Sequence, residues 1–125
     1  MNNDVKYFSV KGKFLYTGEL QTGDRIATDE DIKSVIAAIV KKYDDAIEQH
    51  LLEERSARGY TVREPSLYLN STNERWASDA KDWIAHVDVV MSYGLSVQNN
   101  FVTTGEVPDL ETFKADIPKI EWSVE

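Results

Sequence analysis

The sequence predicts an α+β fold: an N-terminal β-hairpin packed on a long antiparallel helical hairpin, then a short C-terminal helix and an extended tail. Three observations carry this. Residues 5–20 alternate in the manner of strands around the turn signal Lys11-Gly12-Lys13. Two long stretches, 28–59 and 70–105, hold apolar residues at helical spacing between a cap signal and a glycine. Pro108-Asp109 opens a third, shorter helical pattern that Pro118 closes.

In the hairpin, Val5, Tyr7 and Ser9 fall on one face and Lys6, Phe8 and Val10 on the other. Phe14-Leu15-Tyr16 begins the second strand, and Thr17-Gly18 and Thr22-Gly23-Asp24 mark turns. A two-stranded hairpin is marginal in water, so it must pack on the helices.

Thr28 is the expected N-cap of the first helix, with Asp29, Glu30 and Asp31 at its positive end. Its apolar line is Ile32, Val35, Ile36, Ile39, Tyr43, Ile47 and Leu51, and Gly59 stops it. Residues 59–70 read as a packed loop with a short helical turn at Ser66-Leu67-Tyr68. The second helix is expected to start at Ser71, paired with Glu74 as a capping box, and to end at Gly105. Trp76, Ala80, Trp83, Val87, Val90, Gly94, Val97 and Phe101 step by fours and threes along one face. Ile84, Met91 and Leu95 are expected to widen that face, and Tyr43 and Ile39 to face Val87 and Val90. Asp109 should cap the last helix, with Leu110, Phe113 and Ile117 buried, and Ile120 and Trp122 should dock an extended tail.

At 125 residues the chain is one domain's worth, divided into a hairpin region, 1–27, and a helical region, 28–125. Met1-Asn2-Asn3-Asp4 has neither the basic nor the apolar part of a signal peptide. No apolar run of about 20 residues is present, so no membrane partner is expected. There is no cysteine, which excludes disulfides and thiolate metal sites. The net charge of −8 argues against nucleic acid, whose phosphates need clustered Lys and Arg. Acidic mimicry of DNA is weighed against an ordinary mixed-charge surface. The latter is favoured because Lys33, Lys41 and Lys42 interrupt the acidic runs.

Chemistry is sparse. His50 and His86 lie in helices, near Glu53, Glu54 and Asp82, without an H-x-x-x-H repeat, so neither metal nor cofactor is expected. No phosphate loop is present, and Ser56, Ser78, Ser92 and Thr103 lack any turn that would present a nucleophile. Asp79 and Asp82 are expected to face solvent. Trp76 and Trp83 read as core. The aromatics of the hairpin, Tyr7, Phe8, Phe14 and Tyr16, are the candidate partner-binding residues, because one helix layer cannot bury both faces of the hairpin.

Arg58-Gly59-Tyr60, Ser66-x-Tyr68-x-Asn70-Ser71, Arg75-Trp76-Ala77-x-Asp79-Ala80-x-Asp82-Trp83, Gly105-Glu106-x-Pro108 and Ile117-Pro118-x-Ile120-Glu121-Trp122 follow one another in that order. Between Ala46 and Trp122, about three fifths of the chain, they resemble a family of small tailed-bacteriophage proteins encoded near tail and tail-fibre genes. The last part resembles the close of tail-fibre-assembly-type proteins. His86-Val87 stands where that family often has Trp-Arg, and the N-terminal third does not match. The resemblance implies no enzyme activity and no catalytic residue. It implies docking on a phage tail or tail-fibre protein, in the host cytoplasm during assembly or in the virion tail, with homo-oligomers left open. The alternative is an acidic phage-encoded inhibitor of a host defence or host enzyme.

Overall fold

The computed structural model describes residues 5–125, so the Met1–Asp4 reading lies outside the described residues. The fold is α+β, with three short strands followed by three helices, two of them long. The chain groups into two compact units whose boundary falls between Lys42 and Tyr43, inside the first long helix.

In the N-terminal unit, β1 (Tyr7–Phe8) pairs antiparallel with β2 (Leu15–Tyr16), Tyr7 opposite Tyr16 and Phe8 opposite Leu15. The turn is held by Ser9 N–H to Phe14 O and Lys13 N–H to Ser9 O, both 2.8 Å. A third strand, β3 (Arg25–Ile26), pairs antiparallel on the other side of β1. Sequence reading missed it because Arg25-Ile26 stands between the Thr22-Gly23-Asp24 turn and the Thr28 cap, with no alternating run around it. Asp24 ties the loop before β3 back to the hairpin, accepting from Tyr16 Oη at 2.7 Å and from Val10 N at 3.2 Å.

Helix α1 (Asp29–Ala57) begins as expected. Thr28 Oγ1 accepts from Asp31 N at 3.1 Å and Asp31 Oδ2 accepts from Thr28 N at 2.9 Å, a reciprocal cap. Arg25 grips the same carboxylate at 2.6 and 3.2 Å. The Arg25 hydrogen bonds, then the Thr28 N–H, hold the Asp31 carboxyl down at about 2. At the other end, Tyr60 N–H reaches Arg55 O at 2.8 Å and Gly59 N–H reaches Ser56 O at 3.0 Å. That is a Schellman stop, and it needs the φ of +106° that Gly59 adopts.

In the C-terminal unit, Pro65–Tyr68 forms the expected single 3-10 turn. Pro65 is buried but Leu67 and Leu69 are exposed, so the loop is only partly packed. Helix α2 (Glu74–Thr104) is capped by Asn73, whose Oδ1 accepts from Trp76 N at 3.1 Å. Ser71 is not the cap. Its Oγ accepts from Asn73 N at 3.0 Å instead, and Asn caps as well as Ser does. Gly105 closes α2 with a left-handed φ, and Asp109 caps α3 (Leu110–Asp116) by accepting from Thr112 N.

Ile47 lies against Gly94, Glu54 against His86, and Arg58 against Asp79, so α1 and α2 run antiparallel. This register carries Tyr43 to the level of Val97, about three turns from the Val87 level expected. The offset arises because Arg58, just past the end of α1, meets Asp79, about a turn and a half into α2, rather than the first residue of α2. The core is Ala46, Ile47, Leu51, Trp83, Val90, Phe113 and Ile117. Tyr43 meets the Phe113 ring edge-on at 4.6 Å, and Tyr93 stacks on it at 5.2 Å. Ile84, Met91 and Leu95 are exposed. Each follows Trp83, Val90 or Gly94 by one residue, which turns it about 100° away from the core. Trp76 is 44% exposed: it sits in the first turn of α2, with the Tyr68 ring beside it at 5.4 Å.

A Cβ at Gly94 would come within 2.6 Å of Ile47 Cδ1. Gly94→Ala should be near neutral, since its helix gain of about 0.8–1 kcal/mol is offset by that contact. Gly94→Leu should lose about 1–3 kcal/mol by overpacking. Adding Ile47→Val removes Cδ1, so Gly94→Ala and Ile47→Val together should be more stable than their sum by about 0.5–1 kcal/mol. Urea unfolding of the four proteins in that cycle measures the coupling, and strict additivity would place Gly94 away from Ile47.

Candidate functional site

The structure separates the four hairpin aromatics. Tyr7 and Tyr16 are half-buried cross-strand partners, ring centroids 5.6 Å apart, and Phe14 extends the run at 6.1 Å from Tyr16. Phe14 is 53% exposed. Phe8 points the other way and is buried, with Arg25 over its ring at 4.9 Å and Lys13 at 5.7 Å. Three of the four aromatics therefore form one accessible run, and Phe8 belongs to the interior of its unit.

The C-terminal unit holds two polar nodes. The first is built on Asp79, which is fully buried rather than facing solvent as expected. Arg58 donates to both its oxygens, Nε to Oδ2 at 3.1 Å and Nη2 to Oδ1 at 2.9 Å, and Tyr60 Oη donates to Oδ2 at 2.7 Å. Burial pushes the Asp79 carboxyl up. The bonds from Arg58 and Tyr60, with the charges of Arg58 and Arg75, outweigh it and hold the group below the usual carboxylate range. Burial, then the bond to Asp79, pushes the Tyr60 phenol up to about 12. Arg58 also donates to Val124 O and lies 4.9 Å from the Trp122 ring centre. Asp82 is engaged as well, accepting from Ser123 N at 2.7 Å and Ser123 Oγ at 2.9 Å. Neither carboxylate is a free acidic surface group.

The second node lies one turn back along α1. Glu54 Oε1 accepts from His50 Nε2 at 3.0 Å and from His86 Nε2 at 2.6 Å. Glu54 Oε2 accepts from Ile120 N at 2.7 Å, and Pro118 O lies 3.1 Å from His50 Nε2. The ligand-type atoms of His50, Glu54 and His86 all lie within 4.8 Å of one another. The spacing of His50 and Glu54 was visible in the sequence. The arrival of His86 was not, because it depends on the register of two helices.

Both nodes hold the C-terminal segment. Trp122 stacks on Trp83 at 6.2 Å and 8°, and on Tyr60 at 6.5 Å and 27°. Among the described residues no buried side-chain nitrogen or oxygen lacks a partner. A depression of about 280 Å³ beside them, lined by Asp45, Glu48, Gln49, Arg55 and Glu64 among others, is at the small end for a small-molecule pocket.

Arg58→Ala would leave Asp79 buried with one hydroxyl donor and should cost about 3–5 kcal/mol in urea unfolding. The folded Asp79 carboxyl titrates below its unfolded value. Its contribution is therefore complete above the ordinary carboxylate range and is lost as pH falls through the folded value. Asp79→Asn should lower stability near neutral pH and flatten the fall on the acid side, below the ordinary carboxylate range. Parallel profiles for the two proteins would remove Asp79 from the acid limb.

Compared with protein-family models, with curated proteins and with solved structures, the chain matches none.

Proposed function

We propose that this chain is a non-enzymatic, tail-associated bacteriophage protein that docks on a tail or tail-fibre protein, as an assembly factor or as a small component of the particle. The observation that supports it most is an exposed apolar line on α2, formed by Ile84, Met91, Leu95 and Val102. Their steps of seven, four and seven keep all four within about 20° of one direction. A line of that length facing solvent is the kind of surface a helix or groove of a partner covers. The N-terminal unit adds Phe14 and Ile26, the latter 62% exposed on an edge strand, which suits addition of a partner strand. The resemblance supplies the identity of the partner. The residues that carry it, Arg58, Tyr60, Asp79, Trp83, Pro118 and Trp122, are engaged in holding helices and tail together, which leaves contact to other surfaces.

Met91→Glu with Leu95→Glu, and separately Phe14→Glu with Ile26→Lys, should abolish co-purification of a tail or fibre protein from infected cells. The helical circular-dichroism signal should stay, because such surface changes shift stability by about 0.5 kcal/mol or less. Binding should survive moderate salt. An acidic inhibitor of a host protein predicts the reverse: steep loss with salt, and loss in Glu48→Gln with Asp88→Asn, two exposed carboxylates. Retention of the partner by both apolar sets would overturn the docking proposal.

A further inference from the structure

We propose that His50 Nε2, Glu54 Oε1 and His86 Nε2 form a binding site for one divalent transition-metal ion of the zinc type. Two imidazole nitrogens and one carboxylate oxygen are a recurrent zinc donor set, with a fourth position left for water or another oxygen. Pro118 O, 3.1 Å from His50 Nε2, is a further oxygen beside these atoms. The ligands come from both long helices. His50 and Glu54 are one turn apart on α1, and His86 faces them from α2.

Two of the three donor separations are close to those of a bound ion, and all three atoms lie within 4.8 Å of one another. At metal–ligand distances of about 2.0–2.1 Å, tetrahedral ligands sit about 3.4 Å apart. The donor atoms stand 3.0 and 2.6 Å from Glu54 Oε1, so they must open by less than an ångström. Burial is right for a closed site, since the three side chains are 18%, 13% and 7% exposed. The carboxylate is already oriented: Ile120 N–H holds Oε2 at 2.7 Å and turns Oε1 toward the imidazoles, the outer-shell support that ligating carboxylates require. Both imidazoles present the same nitrogen, so loading moves each remaining ring proton to Nδ1. Any imidazolium must release a proton first, so binding weakens in acid. The chain's net charge of −8 favours a cation. The bound ion would fasten the two helices to each other and, through Glu54 and Pro118, to the segment that follows α3.

The two histidines of the chain are both in the site, so tag-free protein offers no other imidazole. Calorimetric titration with zinc chloride should give one equivalent. His50→Gln, His86→Gln and Glu54→Gln should each weaken binding by at least about tenfold, and Asp88→Asn should not. Cobalt(II) should give the visible absorption of a tetrahedral N,O site. A readout on the native chain covers the case in which a variant fails to fold: the Nε2 nitrogen resonances of both histidines should shift together at one equivalent of zinc. Unmoved histidine resonances, or zinc binding that persists in His50→Gln and His86→Gln, would overturn the site and leave the three residues as a hydrogen-bonded clamp only.

Discussion

A carboxylate with no access to water must be matched by donors, and in the C-terminal unit Asp79 imposes that constraint. Its donors come from two consecutive features of the chain. Arg58 is the last residue before the glycine stop of α1, and Tyr60 is the first residue after it. The Schellman turn at Gly59 is therefore more than a helix terminator. It sets the guanidinium and the phenol on the same side, at the spacing one carboxylate can accept. A bidentate arginine tolerates little sliding, so the pair fixes the level at which α2 meets α1. Removing one partner of such a buried pair is costly, whereas replacing both by packed apolar side chains is often neutral.

One turn along α1, Glu54 repeats the logic with different donors. Two imidazoles and a main-chain N–H converge on it. Trp83 lies between the two nodes, 5.9 Å from His86 and stacked on Trp122. Trp122 in turn lies under Arg58 and Tyr60. The seam between the helices is thus polar at two levels and aromatic between them, while Ile47, Val90, Phe113 and Ile117 supply the dry part farther along. Hydrophobic burial supplies the bulk of the driving force, and the polar levels choose which of several similar packings is adopted.

The features legible from sequence were the local ones. Thr28, Gly59, Gly105 and Asp109 act at the helix ends assigned to them, since caps depend on a few neighbouring residues. Trp83 was recognisable as core and Trp122 as a docking residue. What failed was whatever depends on a partner far along the chain. Asp79 reads as a surface carboxylate because its partner Arg58 stands 21 residues earlier, across a loop. His86 and Glu54 are 32 apart. The width of the apolar face of α2 failed for another reason. Periodicity gives the centre of a buried stripe, but its edge depends on how many neighbours surround the helix, and Ile84, Met91 and Leu95 sit beyond that edge.

The docking of the segment after α3 has a consequence for synthesis on the ribosome. Pro118 and Ile120 meet α1 at separations of 68 and 66 residues, and Arg58 meets Val124 across another 66. Elongation runs at about 5–20 residues per second, so Glu54 and Arg58 wait roughly 3–13 s for these partners to be made. During that interval α1 and α2 lack the lid that Trp122 provides over Trp83. These few contacts are long in sequence although the structure around them is helical, so the seam is completed only once residues 118–124 have been made.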